Sequence, residues 1–229
     1  MRIRIAIPAV ASGMVAGSIA VAAPAEVALV ESVTGTPAGV EAMDYVAAGK
    51  VIALGPHDTI VLSYMRSCLR ETITGGTVTV GTDQSEAEGS KVVRSKVACD
   101  AGKMLFGSDE AAKFGGRIFR GAPVAEVSAT STPQLTLFGR SPVVEVAAPG
   151  SLSIERIDRD GERFVLNVAA DQLVHGRFYD FAKWGRKLTA GGVYRMSEGG
   201  HDVVFKIDPH ARPGNTPIVG RLLRMGSPS

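Results

Sequence analysis

Cysteine, aromatic side chains and net charge are all scarce in this chain of 229 residues. Its 2 Cys, Cys68 and Cys99, are too few and too far apart for a Cys-rich zinc site or a Cys-x-x-Cys redox motif. A formal charge of +2 is too small for a nucleic-acid surface, which needs a strongly basic face to displace phosphate counterions. The 4 His (His57, His175, His201 and His210) are scattered, without His-x-x-x-His or a carboxylate at metalloenzyme spacing, so no metal site is expected. The Gly-x-Ser-x-Gly elbow, the Gly-x-x-x-x-Gly-Lys phosphate loop and the Gly-x-Gly-x-x-Gly dinucleotide step are all missing. Ser63, Ser67 and Ser95 have no special glycine neighbours. No catalytic residue and no cofactor are expected from these patterns; a convergent triad or carboxylate pair would be a property of the folded molecule alone.

What is present reads as a globular, exported chain. Hydrophobic residues make up 45% and charged residues 21%, enough for one large or two modest domains with their own cores. Arg2 and Arg4 precede an apolar run, Ile5 to Ala23, which ends in small-residue steps around Ala20 to Ala25. This order predicts a signal peptide over residues 1–25. The competing reading is an uncleaved anchor, since the run approaches the ~20 residues of a spanning helix, although Pro8, Gly13 and Gly17 weaken it. Removing residues 1–25 takes away two Arg and no acid, leaving 23 basic against 23 acidic groups. In an oxidising compartment Cys68 and Cys99 are expected to pair, closing a loop worth roughly 3 to 4 kcal/mol on the chain-entropy account.

The hydrophobic pattern predicts an all-β protein with two β domains and at most one short helix. In the first block, residues 26–120, strands are expected at Val27–Val33, Lys50–Leu54, Thr59–Tyr64, Leu69–Ile73, Thr77–Val80 and Lys91–Val97. Gly75-Gly76 is expected to form a tight reversal within an Arg70–Val80 hairpin, and Gly81–Ser90 a solvated polar loop. Ser108 can cap a short helix through Lys113, ended by Gly115-Gly116. Residues 121–133, rich in Ala, Ser, Thr and Pro, read as a linker. In the second block, residues 134–229, seven strands at Gln134–Phe138, Val143–Val146, Leu152–Ile157, Arg163–Val168, Phe178–Phe181, Gly192–Met196 and Val203–Ile207 predict a β-sandwich. Ile218–Leu223 would be an eighth strand or a closing edge.

The stretch Ala48 to Tyr64, with Gly49, Gly55-Pro56-His57-Asp58 and an outward strand, followed by Gly75-Gly76-Thr77-Val78-Thr79-Val80-Gly81, resembles the core of FecR-type domains over about residues 27–106. That resemblance implies an exported, all-β module that senses a ligand or contacts a protein. Only Met1 to Ile5 precede the apolar run, so direct sigma-factor control is not expected. The second block more loosely resembles immunoglobulin-like or fibronectin-like domains through Leu188-Thr189-Ala190-Gly191-Gly192-Val193-Tyr194. The spacing is one residue longer than the usual tyrosine corner, which leaves that corner and an ordinary buried Tyr both open.

Three local patterns are candidates for function. Asp158-Arg159-Asp160-Gly161 offers oxygen ligands for calcium, but lacks the third acid and the distant Glu, and Asp-Gly between alternating strands signals a hairpin turn. His57 falls in a turn where Asp58 can bond its own downstream amides, and His201 beside Gly199-Gly200 falls at a hairpin tip. Residues 177–187 hold four aromatics, one of them the only Trp, among basic side chains. There Arg177, Tyr179, Lys183, Trp184 and Arg186 are the binding-surface candidates, because Trp, Tyr and Arg concentrate interface energy. The alternative is that Phe178, Phe181 and Trp184 fill the sandwich core. The expectation is a non-enzymatic envelope module whose partner is an envelope protein or cell-wall component. An envelope enzyme or subunit acting on glycan or peptide, and a membrane-anchored sensor, are the alternatives.

Overall fold

The computed structural model describes residues 25–37, 39–101 and 132–225. The 1–25 leader (Ala25 excepted), the Ser108–Lys113 helix and all but the last two positions of the 121–133 linker lie outside the described residues. Within them the protein is all-β: fourteen strands in three sheets, with two short 3-10 turns, Ala170–Gln172 and Ile218–Gly220. No helix among the described residues is long and apolar enough to cross a membrane.

The first sheet is antiparallel throughout. It comprises β1 (Glu26–Thr34), β2 (Tyr45–Ala47), β3 (Val51–Tyr64), β4 (Leu69–Thr79), β5 (Glu86–Glu88) and β6 (Lys91–Lys96), in the order β2-β1-β3-β4-β5 with β6 also paired to β4. Alternation puts Ala28, Val30, Ile60, Leu62, Ile73 and Val78 into one core. The expected reversal at Gly75-Gly76 does not occur. Both glycines do have positive φ, +68° and +77°, but β4 runs straight through them, and the β3–β4 register slips opposite, between Leu54 and Thr59. They make a bulge, and a side chain at Gly76 would collide with the Glu88 carbonyl of β5. For the same reason the two expected pieces on either side of Gly55–Asp58 form the single strand β3. Asp58 turns upstream and not downstream: its Oδ2 accepts the Gly55 N–H at 2.9 Å. The true reversal is Met65–Cys68, and there Cys68 is disulfide-bonded to Cys99, with Cα atoms 5.7 Å apart. This bond ties the β3–β4 tip to the chain leaving β6, and it points to an oxidising compartment.

The remaining strands are β7 (Leu135–Gly139), β8 (Val143–Glu145), β9 (Gly150–Arg156), β10 (Arg163–Val168), β11 (Phe178–Asp180), β12 (Val193–Glu198), β13 (His201–Arg212) and β14 (Leu222–Arg224). They form a five-stranded sheet, β10-β9-β12-β13-β7, and a three-stranded sheet, β11-β8-β14. Leu137, Ile154, Met196 and Phe205 of the former pack with Val144, Phe181 and Leu223 around the latter in one core, so the two sheets face each other as a sandwich. Asp158–Gly161 is the β9–β10 turn and Gly199-Gly200 the β12–β13 turn. The last apolar stretch splits into the 3-10 turn at Ile218–Gly220 and β14, which lies parallel to β8.

A third core joins the first sheet to the sandwich. Leu29, Met43 and Met65 from one side meet Val143, Phe178 and Leu222 from the other. Polar contacts frame it: the Ile218 N–H donates to Glu31 Oε1 at 2.6 Å, and the Thr136 N–H donates to Asp100 Oδ2 at 2.9 Å. At its rim the Tyr45 hydroxyl donates to Glu145 Oε2 at 2.8 Å while the Arg177 and Arg224 guanidinium groups lie over the Tyr45 ring.

Candidate functional site: an exposed tryptophan in a clamped basic loop

Residues 182–187, which follow β11, turn on Gly185, whose φ is +65°. The loop closes on itself: the Gly185 N–H donates to Ala182 O at 3.1 Å and the Arg186 N–H to Phe181 O at 2.8 Å. Asp180 Oδ1 accepts the Ala182 N–H at 2.9 Å at the loop's start. The far end is held by the Ser141 hydroxyl, which donates to Arg186 O at 2.7 Å, and by Arg140 Nε, which donates to Leu188 O at 2.8 Å.

Beneath the loop lies Arg221, fully buried. Its guanidinium spans Asp180 at 2.6 and 3.2 Å, and also donates to Ser141 O, Asn215 Oδ1 and Thr216 O, each at 2.9 Å. All five of its N–H groups therefore have acceptors. Asp180 is neutralised at the loop base, so the outward charge is left to Lys183, Arg186 and Lys187, which are all exposed. Between them Trp184 is 41% exposed. Its ring lies nearly parallel to Tyr179, 7° between planes and 6.5 Å between centroids.

The segment singled out in the sequence is thus divided. Lys183, Trp184 and Arg186 share one exposed loop. Tyr179 is buried beneath Trp184, edge-on to Phe181, and supports the indole from inside. Arg177, at the other end of β11, sits in the junction, over Phe178 and 3.6 Å from Glu145. Phe178 and Phe181 fill cores and Trp184 does not. Arg221, Ser141 and Asn215 escaped the sequence reading, although one arginine inside the apolar stretch Ile218–Leu223 is the pattern of a buried, paired charge.

The Gly81–Ser90 segment is largely solvated as expected, but Glu86–Glu88 within it forms β5 and one residue, Ser85, turns inward. Ser85 is buried: its N–H donates to both Glu71 oxygens, at 3.3 and 3.1 Å, and its hydroxyl lies 2.7 Å from that of Tyr64. Arg94 Nε donates to Glu71 Oε1 at 2.7 Å and its NH2 to Ser85 O at 2.9 Å. Burial pushes the Tyr64 phenol up to about 12, so it stays protonated and neutral.

Among the other candidate groups, Asp158 and Tyr194 are engaged in structural contacts. Asp158 accepts Arg156 Nε at 2.7 Å and the Val193 N–H at 3.1 Å, so its carboxylate braces the β9–β10 turn against β12. Tyr194 is buried, and its hydroxyl accepts the Thr189 N–H at 2.9 Å and donates to Glu162 at 2.7 Å. His57 is exposed on β3, and His201 pairs with Glu198 across the tip of β12–β13. Ser67 donates to Asp83 O, Ser63 is buried in β3, and Ser95 lies on exposed β6; none is hydrogen-bonded to a histidine. Among the described residues no three His, Cys, Asp or Glu side chains gather where they could hold a metal ion. Comparison of the chain with protein-family models, with curated protein sequences and with solved structures returns no match.

Proposed function

We propose that this is an exported, non-enzymatic envelope protein that uses the Lys183–Lys187 loop to dock an envelope protein or cell-wall component carrying negative charge. The carrying observation is the combination of an exposed indole, three flanking cations and a base that is fixed before any partner arrives. A large ring left in water gains free energy when covered, and a loop whose turn is already hydrogen-bonded loses little entropy in doing so. The bases favour an anionic partner and speed its approach.

Export is supported by the basic-then-apolar N-terminus and by the disulfide, and a leader cleaved near residue 25 fits both. The FecR-type reading of the first sheet belongs to this proposal, as does the immunoglobulin-like reading of the sandwich. The latter draws support from the order β10-β9-β12-β13-β7, with β7 parallel to β13, and from the Tyr194 bond to upstream backbone.

The test is retention of the purified protein on washed envelope fragments, with wild type set against Trp184→Ala and against Lys183→Glu/Arg186→Glu. Each variant is expected to lower retention about tenfold or more, the usual scale for a central aromatic or Arg anchor, with circular dichroism and unfolding unchanged. Retention equal to wild type in both variants would discard the proposal.

A further inference from the structure

We infer that β10 is a self-pairing edge, through which two copies of this chain join into one continuous antiparallel sheet. The surface is distinct from the Trp184 loop and does not depend on the role given to that loop.

Among the described residues β10 has one neighbour, β9, and the register between them is unbroken from Arg163↔Glu155 to Val168↔Gly150. Its phase is fixed by the Arg156 N–H, which donates to Glu162 O at 2.7 Å. In an antiparallel ladder bonded and non-bonded pairs alternate. Phe164, Leu166 and Val168 therefore turn their backbone groups toward β9, and Arg163, Val165 and Asn167 turn theirs away. No hydrogen bond to those outward N–H and C=O groups exists among the described residues. Leu166 and Val168 are buried, whereas Val165 is 57% exposed.

An unpaired, regular edge of this kind invites a strand, and the sequence of β10 suits its own. Residues opposed in an antiparallel pair lie on the same sheet face, so a two-fold axis normal to the sheet must pass through a residue and not between two. An axis through Val165 sets Val165 against Val165 and Arg163 against Asn167 of the second copy. All three outward residues then exchange both backbone hydrogen bonds, about six in all. On the solvent face the pair meets as valine on valine, and no like charges within the strand are opposed.

The comparable edge strand β6 is built against this. The Val97 N–H donates to Cys68 O at 3.0 Å, so Val92, Arg94 and Lys96 carry the outward groups there. The corresponding axis would set Arg94 against Arg94 and Val92 against Lys96, a cationic clash of the kind that blunts edges. Val93, also 57% exposed, lies next to Arg94 on that strand and pairs with Thr72 of β4. At the opposite edge of the β10 sheet, the five-residue β7 already gives its Thr136 N–H to Asp100 Oδ2 at 2.9 Å, and the edge strands β2, β5, β11 and β14 have three residues each, too short to hold a partner alone.

Sedimentation equilibrium of the purified chain over a concentration series is expected to show a monomer–dimer equilibrium. Val165→Lys, which opposes lysine to lysine on an exposed face, should weaken it about tenfold or more without changing circular dichroism, while Val93→Lys leaves it intact. Val165→Cys should form an intermolecular disulfide on mild oxidation, since Cα atoms in a bonded pair lie about 5.5 Å apart, within disulfide reach; Val93→Cys should not. A chain that is monomeric at every concentration, a dimer equally sensitive to both lysine substitutions, or a cross-link at Val93→Cys as strong as at Val165→Cys would each overturn the inference.

Discussion

Glu71 in the first sheet and Arg221 under the sandwich are both fully buried charges, yet they are satisfied in different ways. Arg221 meets its counter-ion, Asp180, whose side chain is 20% exposed, and three further acceptors, and every donor it has is used. Glu71 receives one buried backbone N–H, from Ser85, and a guanidinium, Arg94, whose side chain is 41% exposed. Water and salt therefore reach one partner of the Glu71 pair. The difference separates a clamp, which needs its charge to hold a loop from below, from a pin, which fastens a segment already half supported by the Tyr64 hydroxyl and by β5. Burying an ion costs several kcal/mol unless the whole set of partners is supplied, and only Arg221 has the whole set.

The largest expected effect follows from removing the clamp. Arg221→Met keeps much of the volume but leaves Asp180 unpaired and takes the donor from the Ser141 and Thr216 carbonyls, so it should cost about 3 to 5 kcal/mol in chemical denaturation. Trp184 emission in the native state should change with it, because Asp180 and Ser141 lose the group that positions the loop. A loss below about 1 kcal/mol, within the range of an exposed pair, would erase the distinction between clamp and pin.

Glu71→Gln should do less. The amide oxygen still accepts the Ser85 N–H, and what disappears is the ionic character of the Arg94 contact, for a cost of about 1 to 3 kcal/mol. Salt sharpens the comparison: raising ionic strength should shrink the Glu71→Gln effect, because Arg94 is wetted, and leave the Arg221→Met effect nearly constant. Equal salt dependence in the two variants would mean that the pairs sit in like surroundings.

Much of this architecture was legible because it rests on period-two alternation. The strands of the sandwich stand close to where alternating runs such as Leu152–Ile157 and Arg163–Val168 put them. The Cys68–Cys99 bond also followed from two cysteines with no other chemistry to do. What was not legible depends on partners distant in the chain. Gly75-Gly76 has the backbone freedom of a turn and of a bulge alike, and only the continued β3–β4 ladder and the approach of Glu88 decide for the bulge. Ser85 reads as one polar residue among many in Gly81–Ser90 until Glu71, fourteen positions earlier, draws its N–H inward. In the candidate site, four aromatics within residues 177–187 look alike in sequence. Phe178, Tyr179 and Phe181 are fixed inward by β11 and its continuation, whereas the Gly185 turn carries Trp184 out.

The weakest of the three ion pairs tests whether exposure alone grades them. Arg156 is nearly buried, but Asp158, its partner in the β9–β10 turn, keeps 31% of its side chain in water. Hydrogen bonding from Arg156 first, and from the Val193 N–H after it, holds the Asp158 carboxyl down at about 2 against the opposing pull of burial. An aspartate in the unfolded chain titrates at about 3.9. Because the folded value is the lower one, the stabilisation is fully present above about pH 4 and is lost as pH falls from there toward 2, where both states become protonated. Asp158→Asn should therefore lower stability slightly near neutral pH, with the gap between variant and wild type closing through that acid window in denaturation curves taken at successive pH values. Solvent screening keeps the effect below those of Glu71→Gln and Arg221→Met. A gap that stays constant down to pH 2 would assign the contribution of Asp158 to turn geometry and remove this pair from the electrostatic series.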